Sequence, residues 1–219
     1  ALPIFALMAW WASRGKAPLS RKDWLGIVWL GVTGYYLASF LDFAGLAYIS
    51  ASLERLILYL NPTLVLLLGL VFYQRRIALA HLVGMAISYA GVALVFSHEI
   101  TLQGSDAAWG ALLVFGSAVS YALYLVYSGE MVKRLGSMRL VGLATSVACL
   151  CCLLQFAVLR PMSAALVAPE VIWLSVLNAT LCTAVPVLLV MMAIERIGAS
   201  AAAQTGMVGP MSTLLMGAW

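Results

Sequence analysis

Long apolar runs separated by short charged breaks make up almost the whole of this chain. Each run is predicted to be a helix, and the runs cover residues 1–13, 24–48, 52–73, 77–97, 108–130, 138–159, 169–194 and 198–219. All but the first are long enough to cross a hydrocarbon core, which takes roughly 20 helical residues. Strands of alternating polarity, which a membrane barrel would need, are not seen. The pattern therefore predicts an all-α integral membrane protein, a polytopic bundle of about eight observed helices.

Composition supports this class. Hydrophobic residues make up 64% of the chain and charged residues 9%, and the mean hydropathy is +1.05, whereas soluble domains are roughly one-quarter charged. The four cysteines lie within apolar runs, and the adjacent Cys151 and Cys152 would point to different helix faces. We therefore expect packing cysteines, with no disulfide framework, no metal site and no cofactor.

The basic residues are distributed unevenly between the loops. All of the 12 Lys and Arg residues except Arg55 and Arg160 fall in alternate loops, while the opposite loops carry Glu99, Asp106 and Glu170. Because cytoplasmic loops are enriched in Lys and Arg, the basic loops are predicted to be cytoplasmic. The formal charge of +4 is then explained by the membrane surface, and no nucleic-acid partner is expected. The predicted location is the inner (plasma) membrane of a bacterium.

An internal repeat relates the third and eighth predicted helices. Seven residues recur after a shift of 148 positions: Ile49, Ala51, Ser52, Pro62, Leu66, Leu67 and Gly69 match Ile197, Ala199, Ser200, Pro210, Leu214, Leu215 and Gly217. Trp24 and Trp173 open the second and seventh helices at equivalent points, within one residue. Helices that are five apart run in opposite directions, so the repeat is predicted to be inverted. Inverted repeats are typical of secondary transporters with a substrate site near the midplane.

Three stretches carry a resemblance to a known family. SLERLILYLNPTLVLLL, IGASAAAQTGMVGP and the Gly-rich Leu82–Val95 resemble the EamA-type transporters of the drug/metabolite transporter (DMT) superfamily. The resemblance implies a ten-helix carrier that exports or exchanges small metabolites such as amino acids through a central cavity. The eight helices would be the second to ninth. The expected domains are a first repeat, 1–97, lacking its first helix and with a truncated second; an external linker, 98–107; and a second repeat, 108–219, lacking its last helix. Gln74–Arg76 replaces an acidic residue that is usual in the family.

Charged residues within the predicted spans are few. Asp42 lies near the outer end of the second helix, and Glu54 and Arg55 lie in the first turn of the third. A charge at a helix centre costs at least about 2.5–3.5 kcal/mol, so such residues are functional candidates. Two interpretations stay open: an Asp42–Arg55 ion pair that joins two helices, or a role in proton coupling or substrate binding.

Prolines interrupt several predicted helices. Pro62, preceded by Asn61, removes a backbone hydrogen bond in mid-helix and frees a carbonyl. Pro210 occupies the matching place in the other repeat, and Gln204 precedes it by one and a half turns. Broken helices bind substrates or ions in transporters, although a static kink that only shapes the packing is the alternative.

A polar and aromatic stripe runs along the fifth predicted helix. Ser117, Tyr121, Tyr124 and Ser128 recur at helical spacing, and they line either a substrate cavity or a helix–helix interface. The full predicted cavity set comprises Tyr35, Ser39, Asp42, Glu54, Arg55, Tyr59, Asn61, Pro62, Ser117, Tyr121, Tyr124, Asn178, Gln204 and Pro210.

The residues needed by other functional classes are scarce. His81 and His98, the only histidines, lie near helix ends on opposite sides of the membrane, which disfavours a Ser–His enzyme. We therefore predict a multi-pass secondary transporter, not an enzyme, that moves a small metabolite by alternating access; a membrane-embedded enzyme or a scaffold or channel is the alternative. The expected partners are a small-molecule substrate and membrane lipid, with protons as the candidate coupling ion and a homodimer as the candidate assembly.

Overall fold

The computed structural model describes residues 1–73, 106–161 and 167–206, together with Val83, Ala86, Ile87, Ala90 and Ser163. All regular structure within these residues is helical, without a strand, which confirms the predicted all-α class. Five helices of the described part are long and apolar enough to cross a membrane: Arg21–Gly45, Ala51–Tyr73, Asp106–Leu135, Ser137–Leu159 and Pro169–Ile197. Leu2–Ser13 is apolar but shorter, as its sequence predicts.

Three of the long apolar stretches are interrupted helices. The elements are, in chain order, α1 (Leu2–Ser13), α2 (Arg21–Gly31), a π-helical segment (Val32–Leu37), α3 (Ala38–Gly45), α4 (Ala51–Leu58), α5 (Asn61–Tyr73), α6 (Asp106–Leu135), α7 (Ser137–Leu159), α8 (Pro169–Leu177), a second π-helical segment (Asn178–Ala184), α9 (Val185–Ile197) and α10 (Ala199–Gly206). The predicted fourth helix, 77–97, lies outside the described residues apart from Val83, Ala86, Ile87 and Ala90. Residues 207–219 also lie outside them.

The chain forms two compact units that are not contiguous in sequence. The first unit contains Ala1–Tyr36 and Tyr127–Gly198, and the second contains Leu37–Val126 and Ala199–Trp219. Each unit draws residues from both predicted repeats. Because the units reflect which residues pack together and the repeats are divisions of the sequence, the units do not test the repeats. The repeat boundaries at 97 and 108 stay a prediction.

Close backbone contacts hold the first unit together. Helices α1 and α2 both pack on α7. A Cβ atom added at Gly142 would lie 2.6 Å from the backbone nitrogen of Ala9, and one at Gly31 would lie 2.5 Å from the carbonyl oxygen of Ala144. Small residues allow membrane helices to approach this closely, so the two glycines explain why α1 and α2 share α7 as a partner.

Polar contacts join the first loop of this unit to the helix ends around it. The buried Arg139 donates from Nε to Ser13 Oγ at 3.1 Å and from Nη2 to the carbonyl oxygen of Ala17 at 3.0 Å. Arg134 forms an ion pair with Asp23, and Asp23 and Ser20 cap the start of α2 reciprocally. Basic residues that the sequence places in loops are thus held by specific partners.

The second unit is built around the contact of α4 with the start of α6. Ile49, Leu53 and Ile57 form one buried apolar cluster with side chains of α6. Helix α3 also approaches α6, because Gly45 and Gly110 lie against each other's helices without side chains between them. Helix α10 packs on α5. This unit contains most of the predicted cavity residues.

Candidate functional site

The span Ala51–Tyr73, which is the third predicted helix, is broken near Pro62, as the proline predicts. Helix α4 ends at Leu58, Tyr59 and Leu60 form a turn, and α5 begins at Asn61. The turn is tight, because the Leu60 N–H donates to the carbonyl of Ile57, three residues back, at 3.0 Å. Pro62 is buried and has no N–H to continue the helical ladder. The span therefore consists of two consecutive helices, α4 and α5, and is not one continuous helix.

Asn61 lies directly at this break. Its Oδ1 is inaccessible to solvent and accepts no hydrogen bond from the described residues. A buried polar atom without a partner costs about 1–3 kcal/mol, so such atoms are rare in folded proteins and point to a role. Here a strong acceptor is available at the centre of an apolar span.

Two acidic residues within the predicted spans, Asp42 and Glu54, belong to the second unit. Glu54 is only 8% exposed, and it interacts electrostatically with Asp42 and with Arg55. Asp42 Oδ1 is buried and, like Asn61 Oδ1, has no hydrogen-bond partner among the described residues. Helices α3 and α4 thus each place one acidic residue in the second unit.

Arg55 does not compensate Asp42 in the way that one interpretation of the sequence expects. Arg55 is exposed, and the described residues contain no Asp42–Arg55 ion pair. The interpretation of Asp42 as one half of a helix-joining ion pair is therefore wrong. Adjacent residues on a helix point in directions about 100° apart, which explains how Glu54 turns inward while Arg55 turns outward.

The polar stripe of α6 is buried within the protein. Ser117, Tyr124 and Ser128 are 4%, 1% and 0% exposed, respectively. The rings of Tyr121 and Tyr124 are stacked, with centroids 5.7 Å apart and planes at 23°. Ser120, which is not among the predicted cavity residues, is also buried. This stripe faces protein rather than lipid, as its hydroxyl groups predict.

The remaining predicted cavity residues are more dispersed. Tyr35 and Asn178 belong to the first unit, where Tyr35 is half-buried and Asn178 is exposed. Ser39 and Gln204 are exposed members of the second unit, although α10, which carries Gln204, packs on α5. Tyr59 is half-buried in the turn between α4 and α5. Pro210 lies outside the described residues.

Sequence reasoning missed the buried threonines Thr33, Thr63 and Thr145. Thr33 is the second residue of the first π-helical segment and donates its hydroxyl to the carbonyl of Trp29 at 2.8 Å. Thr145 Oγ1, on α7, is buried and has no partner among the described residues. A single threonine in an apolar run gives little signal, because its hydroxyl commonly bonds to the preceding turn of its own helix. In the described ranges no group of three His, Cys, Asp or Glu side chains could hold a metal ion.

Comparison with known proteins identifies the family. The model of the EamA-like transporter family matches residues 1–97 and 108–219. The chain belongs to the EamA-like transporter family. Membership, together with the apolar helices, supports a multi-pass membrane transporter. No solved structure matches the chain.

Relatives of this EamA-like chain carry transporter names. The uncharacterized transporter YcbK of Bacillus subtilis is 29% identical over 234 residues, which cover 100% of this chain and 72% of that protein. The uncharacterized transporter YyaM of the same organism is 30% identical over 115 residues, covering 52% of this chain and 38% of that protein. An uncharacterized transporter of Archaeoglobus fulgidus is 29% identical over 134 residues, covering 58% of this chain and 44% of that protein.

Proposed function

We propose that this EamA-like chain is a secondary carrier that exports a small, amino-acid-like metabolite across a bacterial inner membrane by alternating access. The observation that carries the proposal is the interruption of the span Ala51–Tyr73 at Asn61, whose buried Oδ1 has no hydrogen-bond donor among the described residues. Backbone irregularity and unsatisfied polar groups at membrane depth are tolerated where they serve a binding site. A span that served only as an anchor would gain stability from an unbroken helix.

Helix boundaries support an inverted repeat of the kind used in alternating access. Helix α2 begins at Arg21 and α8 at Pro169, and α4 begins at Ala51 and α10 at Ala199, so both pairs of starting points are 148 residues apart. The same shift moves the π-helical segment Val32–Leu37 largely onto the π-helical segment beginning at Asn178. This agreement comes from backbone conformation and is separate from residue identity. It supports the proposed repeats, 1–97 and 108–219.

Two further features of the proposal concern the orientation of the chain in the membrane and the coupling ion. The loops rich in Lys and Arg are proposed to be cytoplasmic, because the charge asymmetry follows the positive-inside rule. Protons are proposed as the coupling ion, because carboxyl groups within a membrane are the usual proton carriers of pumps and transporters. Asp42 and Glu54 are the carboxyl groups available for this role in the second unit.

Transport by the purified full-length protein in proteoliposomes tests the proposal. We expect saturable exchange of labelled amino-acid-like metabolites, with an imposed proton gradient driving net movement. Asn61→Ala should raise the KM about 2- to 10-fold if Asn61 contributes one neutral hydrogen bond to the substrate. Thr205→Val is the matched control, because the exposed Thr205 hydroxyl only donates to the carbonyl of Ala201 in its own helix. Absence of saturable exchange across a broad metabolite panel would refute the carrier.

A further inference from the structure

Two basic segments of the first unit, residues 13–24 and 130–139, lie against each other. Lys16 Nζ donates to the carbonyl oxygen of Leu135 at 3.4 Å, and the two hydrogen bonds of Arg139, at 3.1 and 3.0 Å, join the same segments. Together the segments contain seven basic residues and two acidic ones. Their contact therefore concentrates positive charge from distant parts of the chain at one place on the unit.

Both acidic residues of these segments already have basic partners. Asp23 pairs with Arg134, and Glu130 pairs with Lys133 at 3.1 Å. Four exposed cations have no carboxylate partner among the described residues, and we call them the basic platform: Arg14, Lys16, Arg21 and Lys22. The positive charge of the basic platform is thus available to an anion from outside the chain.

Exposed tryptophans flank the basic platform. Trp10 and Trp11, in the last turn of α1, are 58% and 62% exposed, and Trp24, in the first turn of α2, is 47% exposed. The guanidinium of Arg14 lies over the ring of Trp10, 3.6 Å from its centroid. Tryptophan is enriched at the level of the lipid headgroups, where one ring meets both apolar and polar surroundings. The basic platform therefore lies beside side chains that are typical of the headgroup region.

We infer that the basic platform binds the phosphate headgroup of an anionic phospholipid. Clusters of about four or more Lys and Arg residues beside a membrane span are typical of anionic-lipid recognition. The exposed Leu7 of α1 and Leu25 of α2 are apolar side chains that acyl chains cover in a membrane. Lipid therefore already lies beside the basic platform, whereas free phosphate has to reach it from solution and gains nothing from the apolar surface.

Competition binding to the purified full-length protein in uncharged detergent micelles is the first test. Fluorescent phosphatidylglycerol is the probe, and unlabelled phosphatidylglycerol, phosphatidylcholine and inorganic phosphate are the competitors. We expect phosphatidylglycerol to compete at least about 10-fold better than the zwitterionic phosphatidylcholine, because each cation near a lipid headgroup contributes about 5-fold. Equal competition by phosphatidylcholine would overturn the inference. Equal competition by inorganic phosphate would show a free-anion site and also overturn it.

Salt provides a second measurement on the same wild-type protein. Raising the ionic strength from about 0.1 M to about 1 M shortens the Debye length from about 10 Å to about 3 Å. Because the basic platform is exposed, we expect the preference for phosphatidylglycerol over phosphatidylcholine to decrease. A preference that is unchanged at high salt would mean that the acyl chains or the glycerol group, and not the cations, select the lipid.

Variants locate the bound headgroup. Arg21→Gln combined with Lys22→Gln removes two exposed charges that form no ion pair among the described residues, so we expect phosphatidylglycerol binding to weaken about 5-fold for each charge. Arg160→Gln is the matched control, because it removes an exposed cation from the opposite end of α7 in the same unit. Lys16→Gln is an independent variant if the double variant does not elute as a monodisperse protein. An equal loss of affinity in the control, or no loss in the platform variants, would refute the site.

Lipid binding and transport are measured separately. A wild-type protein that binds phosphatidylglycerol selectively but exchanges no solute would retain the lipid site and refute the proposed carrier. A wild-type protein that exchanges solute but does not distinguish phosphatidylglycerol from phosphatidylcholine would retain the carrier and refute the lipid site.

Discussion

The contact between α3 and α6 provides a quantitative test of the packing in the second unit. A Cβ atom added at Gly110 would lie 2.7 Å from Ile49 Cγ2, 2.7 Å from Tyr48 Cβ and 3.0 Å from the carbonyl oxygen of Gly45. Two of these three atoms, a carbonyl oxygen and a Cβ, cannot move without the backbone. Gly110→Ala should therefore push the two chain segments apart.

The magnitude follows from the distances. The new methyl group would be about 1 Å closer to carbon than the optimal separation of roughly 3.5–4.0 Å, and overpacking of this kind costs about 1–3 kcal/mol. Alanine also gains about 1 kcal/mol of helix propensity over glycine. Gly116→Ala, in the same helix, shares this gain, but its Cβ would meet Leu41 Cδ1 at an ordinary 3.5 Å. The difference between the two variants isolates the steric cost.

Thermal unfolding of the two purified variants in one detergent, at one heating rate, measures this difference. Because 1 kcal/mol corresponds to roughly 2–4 °C for a protein of 150–250 residues, we expect Gly110→Ala to unfold about 2–12 °C below Gly116→Ala. If Gly110→Ala unfolds at the same temperature as Gly116→Ala or above it, the close approach of α3 to α6 is wrong.

Two further substitutions test other parts of the molecule. Arg139→Ala should lower the free energy of unfolding by roughly 1–3 kcal/mol, because the hydrogen bonds to Ser13 and Ala17 are lost. The control Arg160→Ala removes an exposed side chain and should change the free energy of unfolding little. Equal chemical-denaturation midpoints for the two variants would contradict the stabilising role of Arg139. Pro62→Ala restores an N–H that can continue the helix, so we expect unchanged or higher thermal stability with slower transport in proteoliposomes. Pro169→Ala, at the first helical position of α8 where the N–H has no helical partner, should leave transport unchanged, and a fully active Pro62→Ala would show that the break is dispensable.

Local properties of the chain explain why the helices could be predicted. Apolar runs of sufficient length and the absence of water as a backbone partner leave helices as the stable choice. The same local logic located the interruption at Asn61 and Pro62, because proline lacks an N–H wherever it stands. It also predicted that the hydroxyl stripe containing Ser117 and Tyr124 faces protein, because lipid offers no hydrogen-bond partners.

Which residues meet across helices could not be predicted in the same way. A helix that is apolar on all sides shows no periodicity that separates its lipid-facing surface from its buried one. One of two interpretations of the sequence therefore paired Asp42 with Arg55, whereas the structure leaves Arg55 exposed and Asp42 Oδ1 without a hydrogen-bond partner among the described residues. The contact between Gly45 and Gly110 depends on two helices that are distant in sequence, and no local pattern distinguishes these glycines from the exposed Gly206.

The amino-acid sequence by itself determined the membrane class, the helical spans, the break in the third span and the family resemblance, because each depends on local composition, length or residue identity. Only the tertiary structure decided that the buried Oδ1 atoms of Asp42 and Asn61 have no hydrogen-bond partner among the described residues, and that Tyr35 and Asn178 belong to a different unit. The physical reason is that burial and hydrogen-bond satisfaction are properties of neighbours, and neighbours in a helix bundle come from distant parts of the chain.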